Sequence, residues 1–175
     1  SILQIMQHYL SNGKLTGSQQ VKNERQPQNM DENRRMKSRA ILLEHACGIL
    51  GAMSLRESQN AHLIVEGNGH ILIFQAMRAF PNKVTLQRQC CLAVRNIASR
   101  LISDEDKAKI LDAGAEDVLQ AIAGKHPASA EESYAALRDL GCNPTMYQVD
   151  EYGNYARSTT EAFGTVKSNF RPVYE

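Results

Sequence analysis

Three stretches of the chain repeat one helical signature at a nearly constant spacing: Ile49-Leu50-Gly51-Ala52-Met53, Ala93-Val94-Arg95-Asn96-Ile97 and Ala136-Leu137-Arg138-Asp139-Leu140. Their first residues, at 49, 93 and 136, lie 44 and then 43 positions apart. A period in this range marks a helical solenoid, in which each unit of two or three helices buries its apolar face only against its neighbours. A second pair of segments keeps the same rhythm, since Phe74-Gln75-Ala76-Met77 reappears as Leu119-Gln120-Ala121-Ile122 at an offset of 45. Each copy follows a turn, Glu66-Gly67-Asn68-Gly69 or Asp112-Ala113-Gly114-Ala115, where glycine is expected to supply the positive φ that ends one helix and starts the next. A phosphate-cradling loop is the alternative use of such glycines, but no strand flanks them and no Gly-Lys-Ser/Thr ending follows.

Read in order, the chain opens with residues 1–10, which place Ile2, Leu3, Met6 and Leu10 on one helical face, like the second helix of a repeat without its first. The chain would then begin inside a repeat, with Leu3, Met6 and Leu10 lacking a neighbour to cover them. Residues 11–33 are rich in Gln, Asn, Ser, Gly and Lys and too polar to offset the entropy of ordering, so a mobile insertion is expected there, cut first by trypsin at Lys14, Lys22 or Arg25. Periodicity and caps then predict helices over 34–56, 57–66, 70–80, 84–101, 104–113, 115–124 and 129–141. The first should turn Ile41, Leu42, His45, Ile49, Leu50 and Met53 inward, and the fourth Leu86, Cys90, Cys91, Val94, Ile97 and Leu101. Ser103 is expected to cap the 104–113 helix ahead of an acidic first turn, and Gly141 to stop the last helix. The tail, 143–175, holds six of the ten aromatic residues, scattered among Gly, Asn, Ser and Thr without helical period. It reads as an irregular segment that docks on its own solenoid or on a partner.

Composition narrows the function classes. Formal net charge is +1 and charged residues are 22%, so no overall field draws the molecule to nucleic acid or to a membrane. The chain lacks an apolar run of about eighteen residues and a signal peptide, and a cytoplasmic or nuclear protein is expected. Cys47 and Cys91 each stand two residues before a signature, which argues for packing. With Cys90 adjacent to Cys91, no Cys-x-x-Cys, and five histidines without ligand spacing, no metal or cofactor is expected. The carboxylate pairs Asp104/Asp106 and Glu131/Glu132 fall in first helical turns where they complement the dipole, and no nucleophile setting appears, so no enzyme activity is expected.

These residues resemble the armadillo repeat, whose third helix holds an Ala-Leu-x-Asn-Leu signature matched best by Ala93-Val94-Arg95-Asn96-Ile97. The strings LLEHACGILGAMSLRESQN, FQAMRAFPNK, LQRQCCLAVRNIASR, ILDAGAED and AALRDLGC are similar to the carboxy-terminal repeats of one branch of that family, over residues 41 to 142. The resemblance implies an all-α, armadillo-type right-handed helical solenoid of about two and a half to three repeats with an irregular tail. Its parts would be 1–10, the end of a truncated repeat; 11–33, the polar insertion; 34–142, the repeats; and 143–175, the tail. It also implies a non-enzymatic protein–protein interaction scaffold, the carboxy-terminal part of a longer one, with no cofactor and no small-molecule substrate.

By the same resemblance, the third helices line a concave surface that binds extended peptides, with an asparagine hydrogen-bonding the ligand backbone. Asn96 stands at that place, and an Asn side chain can serve one N–H and one C=O of an extended chain. Ala52 and Asp139 occupy the two equivalent places, so packing is not expected to require asparagine at 96. Leu92 replaces the tryptophan that import-receptor repeats carry, with Gly48 and Ala135 in the flanking repeats, and one turn further back stand Glu44, Arg88 and Glu131. The expected peptide-binding set is therefore Asn96, Arg88, Leu92, Glu44, Ala52, Glu131 and Asp139, and the partner another protein or the chain's own tail. The alternative is a basic-patch adaptor that binds nucleic acid or an anionic surface through residues 14–39, centred on Arg34, Arg35, Lys37 and Arg39. Nucleic-acid binding favours interleaved aromatics, and none lies between 10 and 73.

Overall fold

The computed structural model of the protein describes residues 1–11, 27–142, 147–149 and 155–157, with side chains for 1–11 and 31–142. Among the described residues eight α-helices carry the fold: α1 (Ile2–Ser11), α2 (Pro27–Ser54), α3 (Ser58–Glu66), α4 (Gly69–Ala79), α5 (Val84–Ala98), α6 (Asp104–Asp112), α7 (Ala115–Lys125) and α8 (Ala130–Asp139), the last preceded by a 3₁₀ turn at Pro127–Ser129. They stand in three rows. α2 packs on α5 and α5 on α8; α1 lies on α4 and α4 on α7; α3 lies on α6. Helices one period apart in the sequence are thus neighbours in space, an all-helical packing consistent with an α-solenoid.

Apolar positions at helical spacing drive this packing. Leu43, Cys47 and Leu50 of α2 meet Leu86, Cys90, Ala93, Val94 and Ile97 of α5, and Tyr134, Ala136 and Leu137 of α8 continue the same buried core. Phe74, Ile73 and Met77 of α4, with Leu119 and Ile122 of α7, fill it from the middle row. All four cysteines are free; Cys47, Cys90 and Cys91 are buried, as small apolar residues would be.

The corners show why the period holds. At the α3–α4 corner the left-handed residue is Asn68, with φ 60°, rather than either flanking glycine, while the α6–α7 corner uses Gly114, with φ 84°. Asparagine visits this region more readily than most side chains, so the two sequences make one geometry. Gly69 answers a different need: a Cβ there would lie 2.7 Å from Ile64 Cγ2 and 2.9 Å from the Ile64 carbonyl. At the α4–α5 corner Pro81 has no N–H to offer the carbonyl of Met77 four residues back. The buried Gln87 supplies the donor instead, its Nε2 bonding Met77 O at 2.8 Å and Phe80 O at 2.9 Å. His126 Nε2 reaches Pro81 O at 2.8 Å and Lys125 Nζ reaches Asn82 Oδ1 at 2.9 Å, fixing the same corner from the end of α7.

Several expectations change. α2 begins at Pro27 rather than 34, so part of the expected insertion is helical; residues 12–26, with Lys14, Lys22 and Arg25, lie outside the described residues. Ile41, His45, Ile49 and Met53 do not face inward: the buried face of α2 is Ala40, Leu43, Ala46, Cys47, Leu50 and Ser54. The apolar residues of α2 occupy more than one stripe, and α5 covers the stripe that carries the smaller side chains. Leu3, Met6 and Leu10 do not lack neighbours either, since Met6 is fully buried and Leu3 and Leu10 pack against the core. Arg39 secures that end, donating from Nε at 3.0 Å and from Nη2 to the Tyr9 carbonyl. Ser103 occupies the N-cap of α6 without a side-chain capping bond, whereas Gly141, with φ 89°, does terminate the last helix. Within the tail expected to be irregular, β1 (Tyr147–Val149) and β2 (Tyr155–Arg157) pair antiparallel, Gln148 opposite Ala156.

Candidate functional site

The row α2, α5, α8 carries every residue singled out for peptide binding, four positions apart on α5 and eight apart on α2 and on α8. Between α2 and α5 lies an open cleft of about 500 Å³ lined by Glu44, His45, Gly48, Ile49, Ala52 and Gln89. The lining follows from side-chain size, because Gly48 and Ala52 leave the floor low while Ile49 stands beside them, 47% exposed. Gln89 forms the α5 wall, its Nε2 placed 3.2 Å from where a Cβ on Gly48 would sit.

The polar residues of this face are partly committed to one another. Glu44 Oε2 accepts a hydrogen bond from Thr85 Oγ1 at 2.7 Å, linking α2 to α5. Arg88 Nε pairs with Glu132 Oε1 at 3.3 Å, linking α5 to α8; the Arg88 side chain stays 62% exposed and that of Glu132 only 12%. Arg88 thus keeps its remaining donors turned to solvent. Asn96 is half-buried and donates from Nδ2 to Gly51 O at 3.2 Å. The expectation that packing makes no use of this asparagine is therefore corrected: its amide crosses from α5 to α2 and satisfies a backbone carbonyl. Ala52 and Glu131 are exposed, Leu92 and Asp139 half-buried, so Glu44, Arg88, Leu92 and Asn96 gather around α2 and α5 while Glu131 and Asp139 stand at the α8 side. His45, Ile49 and Gln89 were not selected from the sequence, where Ile49 reads as core.

The basic residues separate. Arg34, Arg35 and Lys37 are exposed two to three turns into α2, Arg35 in an i,i+4 pair with Asp31 at 3.2 Å, whereas Arg39 is spent on Tyr9. Surface pairs of this kind contribute little.

A second constellation lies on the opposite row, between α3 and α6. His62 Nδ1 meets Asp106 Oδ2 at 2.7 Å, and Lys109 Nζ meets Asp106 Oδ1 at 3.3 Å, with the Asp106 side chain 4% exposed. The Asp106 hydrogen bond raises the His62 pKa above 6.5, and the same bond lowers that of Asp106 below 3.8. Glu66 approaches His62 at 3.9 Å, and the adjacent buried His70 has its pKa lowered by burial. A raised histidine stabilises the fold fully below its unfolded pKa and loses that contribution as pH rises through the folded one; a depressed aspartate stabilises above its unfolded pKa and loses it in acid. Between about pH 4 and 6.5 both contributions are present. His70 acts the other way, losing stability as pH falls below 6.5. Comparing native protein with His62→Gln, which share His70, isolates the clasp: the gap in Tm should be widest near about pH 5.5 and narrow by about pH 8.5. A gap independent of pH would remove the charged clasp from the account. Among the described residues no group of three or more His, Cys, Asp or Glu side chains could hold a metal ion.

No family model, curated protein or solved structure matches the chain.

Proposed function

We propose that this chain is an armadillo-type interaction scaffold that engages an extended segment of another protein across the α2–α5–α8 face. The single observation that carries the reading is the open cleft between α2 and α5, floored by Gly48 and Ala52 and walled by Ile49 and Gln89. An extended segment needs such a floor to bring its backbone close, and polar side chains at the rim to meet its amides. Gln89, the uncommitted donors of Arg88, and the Oδ1 of Asn96 supply that rim, and Glu131 and Asp139 extend it towards α8. Residues that hold the helices together and residues that could hold a ligand thus alternate along one face. The scaffold would act without catalysis, cofactor or small-molecule substrate, in the cytoplasm or nucleus.

The test is selection of extended peptides from a displayed random library, followed by affinity measurement on Gly48→Leu. Leucine gains helix propensity over glycine, and the displaced neighbour is the flexible end of Gln89, so the fold should persist while the floor is filled. Affinity of selected peptides is expected to fall by about tenfold or more, the 1.4 kcal/mol that a few lost backbone contacts supply. Selected peptides that bind Gly48→Leu as tightly as the native protein would contradict the reading.

A further inference from the structure

α2 carries a feature that reaches beyond the groove, sharing with it only His45 and Ile49. Lys37, Ile41, His45, Ile49 and Met53 recur in steps of four along it, and all five are exposed; Ile41, Ile49 and Met53 expose 45%, 47% and 44% of their surface. Residues four apart are neighbours on a helix surface and advance by about 40° per step, so these five form one row that winds slowly round the exposed side of α2, cationic at its amino-terminal end and apolar beyond. Arg34 lies exposed one turn before Lys37 and adds to the cationic end, and among the described residues neither has an ion-pair partner. The stripe is continuous with the cleft, where His45 and Ile49 are lining residues and Gln89 of α5 rises beside them.

We propose that this stripe docks an acidic amphipathic helix of a partner protein, with its carboxylates over Arg34 and Lys37 and its apolar side chains over Ile41, Ile49 and Met53. The stripe from 34 to 53 is about 30 Å long at 1.5 Å per residue, the length of a helix of roughly twenty residues. Charge selects the occupant. Over 31–39 the four cations Arg34, Arg35, Lys37 and Arg39 outnumber the carboxylates Asp31 and Glu32, and Asp31 is paired with Arg35, so the cationic end keeps its sign. The chain's own residues 12–26 carry Lys14, Lys22 and Arg25 against Glu24 and would be repelled, and the tail 143–175 carries Arg157, Lys167 and Arg171 against Asp150, Glu151, Glu161 and Glu175, a near-balance that gives little net attraction. A flat lipid surface fits less well than a helix, because the α5 wall at Gln89 stands beside the apolar half and makes that part a trough. The inference goes beyond the extended-segment reading and needs neither Arg88 nor any residue of α8.

The probe is a synthetic helix of roughly twenty residues with glutamates on one half and leucines in steps of four on the other. Binding to the full chain is followed by fluorescence anisotropy, with circular dichroism on every variant. The double variant Arg34→Glu/Lys37→Glu and the single variant Ile49→Ser are each expected to weaken capture by about tenfold or more, since all three positions are exposed and outside the core. Arg88→Ala and Glu131→Ala should leave this probe's affinity unchanged, which separates failure here from failure of the extended-segment reading. The proposal is overturned by any of four results: no binding, equal binding of a probe with lysine for glutamate, unchanged affinity in the α2 variants, or dependence on Ile49 and Lys37 seen only for self-association or phosphatidylserine vesicles.

Discussion

Gln87→Glu should leave the protein largely unfolded near neutral pH, while Gln87→Leu should fold with reduced stability. The side chain is fully buried, and its Nε2 donates to the carbonyls of Met77 and Phe80. Phe80 O also accepts the Lys83 N–H at 3.1 Å, but the N–H that would reach Met77 O in a continuing helix is absent because residue 81 is proline. Leucine therefore strands one buried carbonyl, at about 1 to 3 kcal/mol, and removes the unpartnered Gln87 Oε1, which offsets part of the loss. Glutamate does worse. It replaces a donor with a carboxylate facing two carbonyl oxygens, and it must either protonate or carry an unpaired charge into the core, costing about 3 to 5 kcal/mol. Against a total stability of about 5 to 15 kcal/mol for a domain, that difference decides whether the chain folds. Urea titration of the two variants would show it, and a glutamate variant as stable as the leucine one would refute this account of the α4–α5 corner.

Gly51→Val should separate the two largest helices of the fold. A Cβ at 51 would sit 3.0 Å from the Cα of Ala93 and 3.4 Å from its Cβ, so α2 and α5 approach backbone to backbone at this crossing. Alanine adds that one carbon and recovers about 0.8 to 1 kcal/mol of helix propensity, so its net effect should be within about 1 kcal/mol of zero. Valine adds two more methyl groups with a stiff χ1 at a point where neither backbone can yield, and overpacking of this sort costs about 1 to 3 kcal/mol. The displacement would also break the Asn96 bond to Gly51 O, adding about 1 kcal/mol. A denaturation midpoint close to native for alanine and clearly lower for valine, with a loss of peptide capture in valine alone, is expected; equal midpoints for alanine and valine would mean the helices are not in contact there.

How much of this was legible beforehand follows from what sets each feature. Helix order and most boundaries could be read because Pro81, Gly114, Gly141 and the 44-residue spacing are local signals. The inward face of α2 could not, because Ile41, Leu42, Leu43, Ile49, Leu50 and Met53 are apolar on more than one stripe, and only the packing of α5 chooses between them. The clue in retrospect is Gly51: a close crossing needs a small residue, which assigns the buried face to Leu43, Cys47, Leu50 and Ser54. Asn96 shows the converse, since nothing local in the sequence tells that the amide of a residue expected to contact ligand also serves a neighbouring helix. The helical start at Pro27 was hidden by polar composition, since residues 31–38 are exposed throughout and carry no apolar face towards the core. Long-range polar links such as His62 to Asp106 and Gln87 to Met77 are invisible in a single sequence, because nothing local distinguishes a histidine or glutamine that finds a partner 44 or 10 residues away.

The claim at the centre of this account is that the α2–α5 face takes up a protein segment. The most direct measurement is amide and methyl NMR of the full chain titrated with a peptide selected for binding. Shift changes centred on Gly48, Ile49, Ala52, Gln89 and Leu92, with α4 and α7 unmoved, are the expected result. Changes confined to the α3–α6 row around His62 and Asp106 would contradict it.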